Sequence, residues 1–206
     1  MFTLRNGSVL GAGNSNDLDL PRILDTYAEV HLVDIDEQAL AEGVARQQVE
    51  SATGLVLHGG VDVTDPAWQI DPADVAVSSA LLTQLIDTAE QTGQTGTQLL
   101  TVRDAHLRLI ARLLTPKGSG LLITDVVSSD TCTRLPAAGH HELAALMIDS
   151  INAGDFFTGT NPVAIRQRLM TDPQIRAHQV ALSMPWRWQL ASRSFLVCAV
   201  AFEPHV

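Results

Sequence analysis

Short runs of consecutive apolar residues alternate along this chain with longer stretches whose apolar positions recur every three or four residues. The first pattern is that of strands buried on both faces, the second that of helices burying one stripe. Strands are predicted at 8–10, 29–34, 54–58, 74–78 and 120–125. A short helix with Pro21 in its first turn presents Ile23, Leu24 and Tyr27 on one face, and Pro is harmless there because its N–H would be unpaired anyway. Further helices are predicted at 37–49, with a modest stripe of Leu40, Ala41 and Val44, at 81–91, and at 98–114 around Leu99, Leu107, Ile110, Leu113 and Leu114. Gly93-Gln94-Thr95-Gly96 reads as a loop, and Pro116-Lys117-Gly118 stops the long helix.

The stretch 126–178 breaks the alternation. It holds a predicted helix at 141–151, a loop Asn152-Ala153-Gly154-Asp155-Phe156-Phe157-Thr158-Gly159-Thr160, and a second helix opened by Asn161 as N-cap and Pro162 at the first position. The chain closes with two strand-like runs, 180–190 and 195–202, joined by Ala191-Ser192-Arg193-Ser194 as a tight hairpin. Pro185 within the first run predicts a bulge or an edge position. Strand–helix alternation predicts an α/β, Rossmann-like three-layer sandwich, with a mostly parallel seven-stranded sheet and a C-terminal antiparallel hairpin. With no repeat and no dividing linker, residues 1–206 read as a single domain, in which 126–178 is a helical insertion covering the substrate.

Length and composition narrow the class. The chain has 206 residues, enough for one sizeable core, and is 46% hydrophobic and 17% charged. No apolar run approaches the roughly 20 residues of a membrane span, and Met1-Phe2-Thr3-Leu4-Arg5 lacks the apolar run of a secretory leader. The two cysteines, Cys132 and Cys198, make no disulfide framework, which fits a reducing cytoplasm. A net charge of −10 with a single lysine, Lys117, disfavours a nucleic-acid partner. The expected partner is a small-molecule substrate, with no membrane; a second copy of the chain, as a homodimer, is a further candidate.

The chemistry centres on Gly11-Ala12-Gly13, which follows the first strand, and on Asp34, which ends the second strand 21 residues after Gly13. Glycines at such a turn let the backbone fold tightly and approach a ligand, and the strand-end acid can accept hydrogen bonds from ribose hydroxyls. A nucleotide site is predicted there.

Taken in order, the motifs resemble class I S-adenosylmethionine-dependent methyltransferases. Leu10-Gly11-Ala12-Gly13-Asn14 looks like the family's glycine motif, and Val33-Asp34-Ile35-Asp36-Glu37 like its second-strand motif. Gly60-Val61-Asp62-Val63-Thr64 is similar to its third-strand acid, and 112–123, with Pro116-Lys117-Gly118, to its helix, turn and fifth strand. The final hairpin also fits, whereas 126–179 matches no part of the family. The resemblance implies S-adenosylmethionine as cofactor. Gly11, Ala12, Gly13 and Asn14 would face its methionyl part, Asp34 the ribose, and Ile35 the adenine. Asp62 would accept from the adenine amino group, and the Val63 N–H would face the ring. Ser78 and Ser79, ending strand four, would border the donor methyl.

One departure has a consequence for the cofactor's ammonium group. The family often has an acid two residues before the first glycine, where this chain has Val9. Asp17 or Asp19, in the polar loop after the glycines, can replace it, or can simply cap the next helix.

For the substrate, Gln84 one turn into the helix after strand four, His140, and Phe156 with Phe157 between Gly154 and Gly159 are candidates, the two phenylalanines as an apolar lid. His140-His141 lacks the neighbouring ligands of a zinc site, so no metal is expected. Trp186 and Trp188 share a strand face and read as packing residues. No catalytic residue stands out in the sequence. A nicotinamide-dependent oxidoreductase is a rival reading, but its fingerprint wants a third glycine where Asn16 stands. A non-catalytic S-adenosylmethionine-binding or scaffold protein of the same fold is another.

Overall fold

A computed structural model of the chain describes residues 5–204; Met1–Leu4, part of the stretch read as lacking a leader's apolar run, lie outside them. The strands are β1 (Asn6–Leu10), β2 (Glu29–Asp34), β3 (Leu55–Gly59), β4 (Ala73–Ser79), β5 (Leu114–Ser128), β6 (Gln179–Leu182), β7 (Trp186–Leu190) and β8 (Arg193–Glu203). The helices are α1 (Leu20–Thr26), α2 (Glu37–Arg46), α3 (Leu81–Gln91), α4 (Thr97–Arg112), α5 (Leu143–Ala153) and α6 (Pro162–Thr171). One sheet runs β3-β2-β1-β4-β5-β8-β6, with β7 also on β8. The first five strands in that order are parallel, and β8 is antiparallel to β5.

Both faces of the sheet are buried, as consecutive residues of β1 show. Val9 joins Leu20, Leu32, Leu40 and Val44 in a core beneath α1 and α2. Leu10 joins Ala76, Leu82, Ile110, Leu122, Ile165 and Phe202 in the larger core beneath α3, α4 and α6. A strand alternates its side chains between faces, so two neighbouring apolar residues need two covering layers. The expected three-layer sandwich follows.

The final hairpin makes one interrupted edge. β6 pairs with β8 at Leu182↔Val200 and β7 resumes at Trp186↔Val197, so one extra residue on the edge strand is accommodated around Pro185. Pro185 predicted this bulge, since proline cannot donate to a ladder. The loop between β7 and β8 is two residues, Ala191 and Ser192, with Ala191 at φ 52°.

Pro116-Lys117-Gly118 does not lie in a turn before β5 but within its first residues. Leu114 pairs with Ala73 and Ser119 with Val75, so residues 115–118 bulge out of the ladder. Thr115 donates to Asp74 at 3.2 Å across that bulge. A second irregularity falls between Asp125 and Val127, which oppose the successive residues Val197 and Leu196. It frees the Val126 carbonyl to accept the Phe157 N–H at 2.9 Å.

Residues 126–178 divide between two places. α5 and the short 3₁₀ turns before it pack Leu135, Leu143 and Leu146 on Val127 and Leu196. α6 lies in the layer covering the sheet, with Ile165 and Leu169 fully buried in the larger core. Asn161 caps α6 as its sequence predicts, accepting from the Val163 and Ala164 N–H groups at 3.0 and 3.3 Å.

Candidate functional site

The C-terminal ends of β1, β2, β4 and β5 lie side by side, with Leu10 opposite Val33 and Ser78, and Ser79 opposite Ile123. Open α/β sheets bind ligands in the crevice at this edge. The chain leaves β1 through Gly11 at φ 71° and Gly13 at φ 48°, a region most side chains avoid. At Gly11 a Cβ would sit 2.9 Å from Leu81 Cβ and 3.0 Å from the Ser79 carbonyl oxygen, so this position also needs glycine for room. In front of Gly13 the space is open: within 4 Å a Cβ would meet just Asp34 Oδ2, at 3.9 Å.

Asp34 ties the turn to β2. Its Oδ2 accepts the Gly13 N–H at 2.7 Å and its Oδ1 accepts the Asp36 N–H at 2.9 Å. A carboxylate has about four lone-pair directions, so each oxygen retains capacity for one more donor. Beside it Ile35 is 70% exposed, an apolar side chain standing at the crevice. Asp62 follows β3, its Oδ1 accepting the Thr64 N–H and hydroxyl at 2.8 and 2.7 Å. The Val61 N–H donates to the Asp34 carbonyl, which links the two strand ends.

The polar loop after the glycines is fixed from below by Gln47, just past α2. Its amide donates to the carbonyls of Ser15 and Leu18 at 2.8 and 2.9 Å, and its Oε1 accepts the Leu20 N–H at 2.9 Å. Gly43 of α2 is also pressed against the backbone of Asn14. Asp19 caps α1, accepting the Arg22 N–H at 3.2 Å. That leaves Asp17 free of the capping role.

A cavity of about 620 Å³ opens beside this turn. Of the predicted residues it brings together Gly11, Ala12, Asn14, Asp17, Ser79, Gln84 and Phe157. Gly13, Asp34, Ile35 and Asp62 stand at or just past the ends of β1, β2 and β3, outside the cavity wall. Val63 lines a different, larger cavity of about 990 Å³ along α4, with Leu85, Val102, His106 and Leu109. That space contains neither the glycine turn nor the Asp34 strand end. Ser78 is fully buried and shares a 2.8 Å hydrogen bond with His106 Nε2, turned away from the cavity that Ser79 lines. Burial pushes His106 down to about 4, so it is neutral at pH 7. His140 is exposed in a 3₁₀ turn and, like Phe156, lies outside the cavity wall.

The structure adds residues that sequence reasoning passed over. Asp125, at the β5 bulge, enters the wall together with Arg193 and Phe195 of the hairpin, and so does Trp188, which the sequence reads as a packing residue. Burial raises the Asp125 carboxyl to about 6 against the pull of Arg193. Burial also raises Asp17, opposed by a hydrogen bond from Trp188. Ala80, in the wall at the start of α3, is held at φ 51°, the kind of strained position that clusters at functional sites. A strand-end acid was the available signal for Asp125. For Trp188 the two-residue alternation gave the face but not what covers it.

No family model and no curated protein matches the sequence. Solved structures do match the fold. An N-methyltransferase, NodS, from Bradyrhizobium japonicum, in complex with S-adenosyl-L-homocysteine, aligns over 98% of this chain and 79% of its own, at 13% identity and TM-score 0.56. A SAM-dependent methyltransferase from Methanosarcina mazei aligns over 100% and 95%, at 12% identity and TM-score 0.60. Magnesium protoporphyrin IX methyltransferase from Synechocystis, with bound S-adenosyl-L-homocysteine, aligns over 96% and 74%, at 13% identity and TM-score 0.53. The chain has the class I methyltransferase fold.

Proposed function

We propose that this protein is an S-adenosylmethionine-dependent methyltransferase acting on a small molecule. The observation that carries the reading is the bond between Gly13 and Asp34, which sets an open glycine turn and a strand-end carboxylate with spare acceptor capacity side by side at the crevice. Asp34 would hold the ribose hydroxyls and exposed Ile35 the adenine face, with Asp62 at the ring edge; Val63, which lines the other cavity, is left out of the site. Gly11, Ala12, Gly13 and Asn14 would take the methionyl part, and Asp17 its ammonium. Ser79 and Gln84 would border the acceptor; Ser78 would act by holding β4 through His106.

The cofactor, when bound, supplies a methyl group already electrophilic on its sulfonium. The chain's task is to align the acceptor and limit water. Phe157 and Thr158, tied to β5 through the Phe157–Val126 bond, supply part of the cover, and Trp188, Leu190 and Phe195 of the hairpin supply the rest. Among the described residues no helix is long and apolar enough to cross a membrane.

Crystals grown with S-adenosyl-L-homocysteine test the reading. The ligand is expected across the ends of β1, β2 and β4 with its ribose on Asp34. Density in the α4 cavity instead, or none at the glycine turn, contradicts it.

A further inference from the structure

The cavity wall carries a charge pattern that bears on the acceptor. Four carboxyl groups line it, Asp17, Asp87, Glu90 and Asp125, against one cation, Arg193. Arg193 is already engaged: it pairs with Asp130 at 2.7 Å and lies over the Phe195 ring at 5.0 Å. Among the described residues no histidine lines this cavity.

Asp125 differs from the other three. Gln91 donates to Asp87 at 2.8 Å, and Trp188 donates to Asp17. Glu90 is exposed on α3. Asp125 is partly buried, and no described group donates a hydrogen bond to its carboxyl, although Arg193 is near enough to act on it through charge. It stands two residues beyond Ile123, whose carbonyl accepts the Ala80 N–H. That places it next to the strained start of α3. The bulge that follows it re-aims the strand, a use bulges have beside functional sites. A partly buried carboxylate without a donor is costly, and a cationic ligand would remove that cost.

Resting on the methyltransferase reading, we propose that the acceptor is a small organic amine entering as its ammonium ion, and that Asp125 binds this group and receives its proton. Trp188, Phe157 and Phe195 give the amine's apolar body a surface. In the transfer, one N–H proton of the ammonium passes to the Asp125 carboxylate, freeing the nitrogen lone pair. That pair forms the new N–C bond while the methyl–sulfur bond breaks, its electrons remaining on sulfur as the neutral thioether. The proton on Asp125 then leaves to solvent, where a carboxyl raised to about 6 is ionised again at neutral pH. Anionic acceptors are repelled by the remaining carboxylates.

The test uses the full-length protein and three probes of matched shape: phenethylamine, 2-phenylethanol and 3-phenylpropionate. S-adenosyl-L-homocysteine is titrated first, and each probe is then titrated into the complex at neutral pH. The amine is expected to bind roughly tenfold tighter or more than either analogue, the scale of a hydrogen-bonded charge. Its affinity should fall as pH drops through about 6 while the amine itself stays protonated. Asp125→Asn should abolish both the preference and that pH dependence, with affinity for S-adenosyl-L-homocysteine unchanged. Equal binding of the three probes, or a preference that persists in Asp125→Asn, overturns the amine proposal alone. Failure of S-adenosyl-L-homocysteine to bind the wild type overturns the methyltransferase reading, and this proposal with it. If Asp125→Asn does not fold, the ranking of the probes on the wild type still decides.

Discussion

The Gly13 N–H donates to Asp34 Oδ2 at 2.7 Å, across 21 residues of sequence and between neighbouring parallel strands. A side chain that would hold a ribose therefore also holds the glycine turn. Asp34→Ala removes both functions. Affinity for S-adenosyl-L-homocysteine should fall by an amount equivalent to about 1.5–3 kcal/mol, the range for hydrogen bonds to a charged group. Calorimetric titration of the folded variant measures this, and an unchanged affinity would remove Asp34 from the site.

Gln47 touches no part of the cavity, yet its side chain satisfies three backbone groups of the loop that forms one wall. Gln47→Leu keeps comparable bulk and leaves those groups without their partner. Stability should drop by about 1–3 kcal/mol, the cost of unpaired polar groups, and cofactor affinity should fall with it. Urea unfolding and titration on the same preparation check both. A variant as stable as the wild type would show that the loop holds itself.

Asp17 is predicted to balance the cofactor's ammonium in place of the acid missing at Val9. Asp19, not Asp17, caps α1, so the helix should be indifferent to the change. Asp17→Asn should leave the melting temperature nearly unmoved and weaken cofactor binding by up to about fivefold, the scale of an exposed ion pair. Equal affinity in the two proteins would contradict the compensation.

His106 predicts a pH dependence of stability. Its folded pKa, about 4, lies below the ordinary 6.5. The unfolded chain therefore binds the proton more readily, and the stability from a neutral His106 is complete above about 6.5 and is lost as pH falls toward 4. His106→Gln removes the titration while retaining a partner for Ser78. Its stability should be flatter than the wild type's between those limits, by on the order of a few kcal/mol. Parallel denaturation curves would mean that His106 is solvated in the folded state.

Much of the fold was legible because each layer has a local signature. Adjacent apolar residues such as Val9 and Leu10 demand two cores, and Pro21, Pro162 and Pro185 mark two helix starts and one bulge. The glycine turn was legible for the same reason: a short-range pattern plus one spaced acid. The cavity's far wall was not. Asp125 lies more than 60 residues before Trp188, Arg193 and Phe195 of the hairpin, and a register shift at Val126 decides where Asp125 stands. Register shifts leave little trace in composition or spacing. The same limit applies to Ser78 and Ser79: strand alternation sends them to opposite sides, but which side meets the cavity depends on packing around His106. In the stretch 126–178 the sequence marks two helices and a loop but not where each packs; tertiary contacts alone separate α6 in the sheet layer from the loop of Phe157 at the cavity.

The central claim is that the glycine turn and Asp34 form a site for S-adenosylmethionine. Calorimetric titration of the wild-type chain with S-adenosyl-L-homocysteine, and in parallel with NADH, tests it most directly. The account predicts saturable binding of S-adenosyl-L-homocysteine at one site per chain and no binding of NADH. Saturable binding of NADH with none of S-adenosyl-L-homocysteine would contradict it.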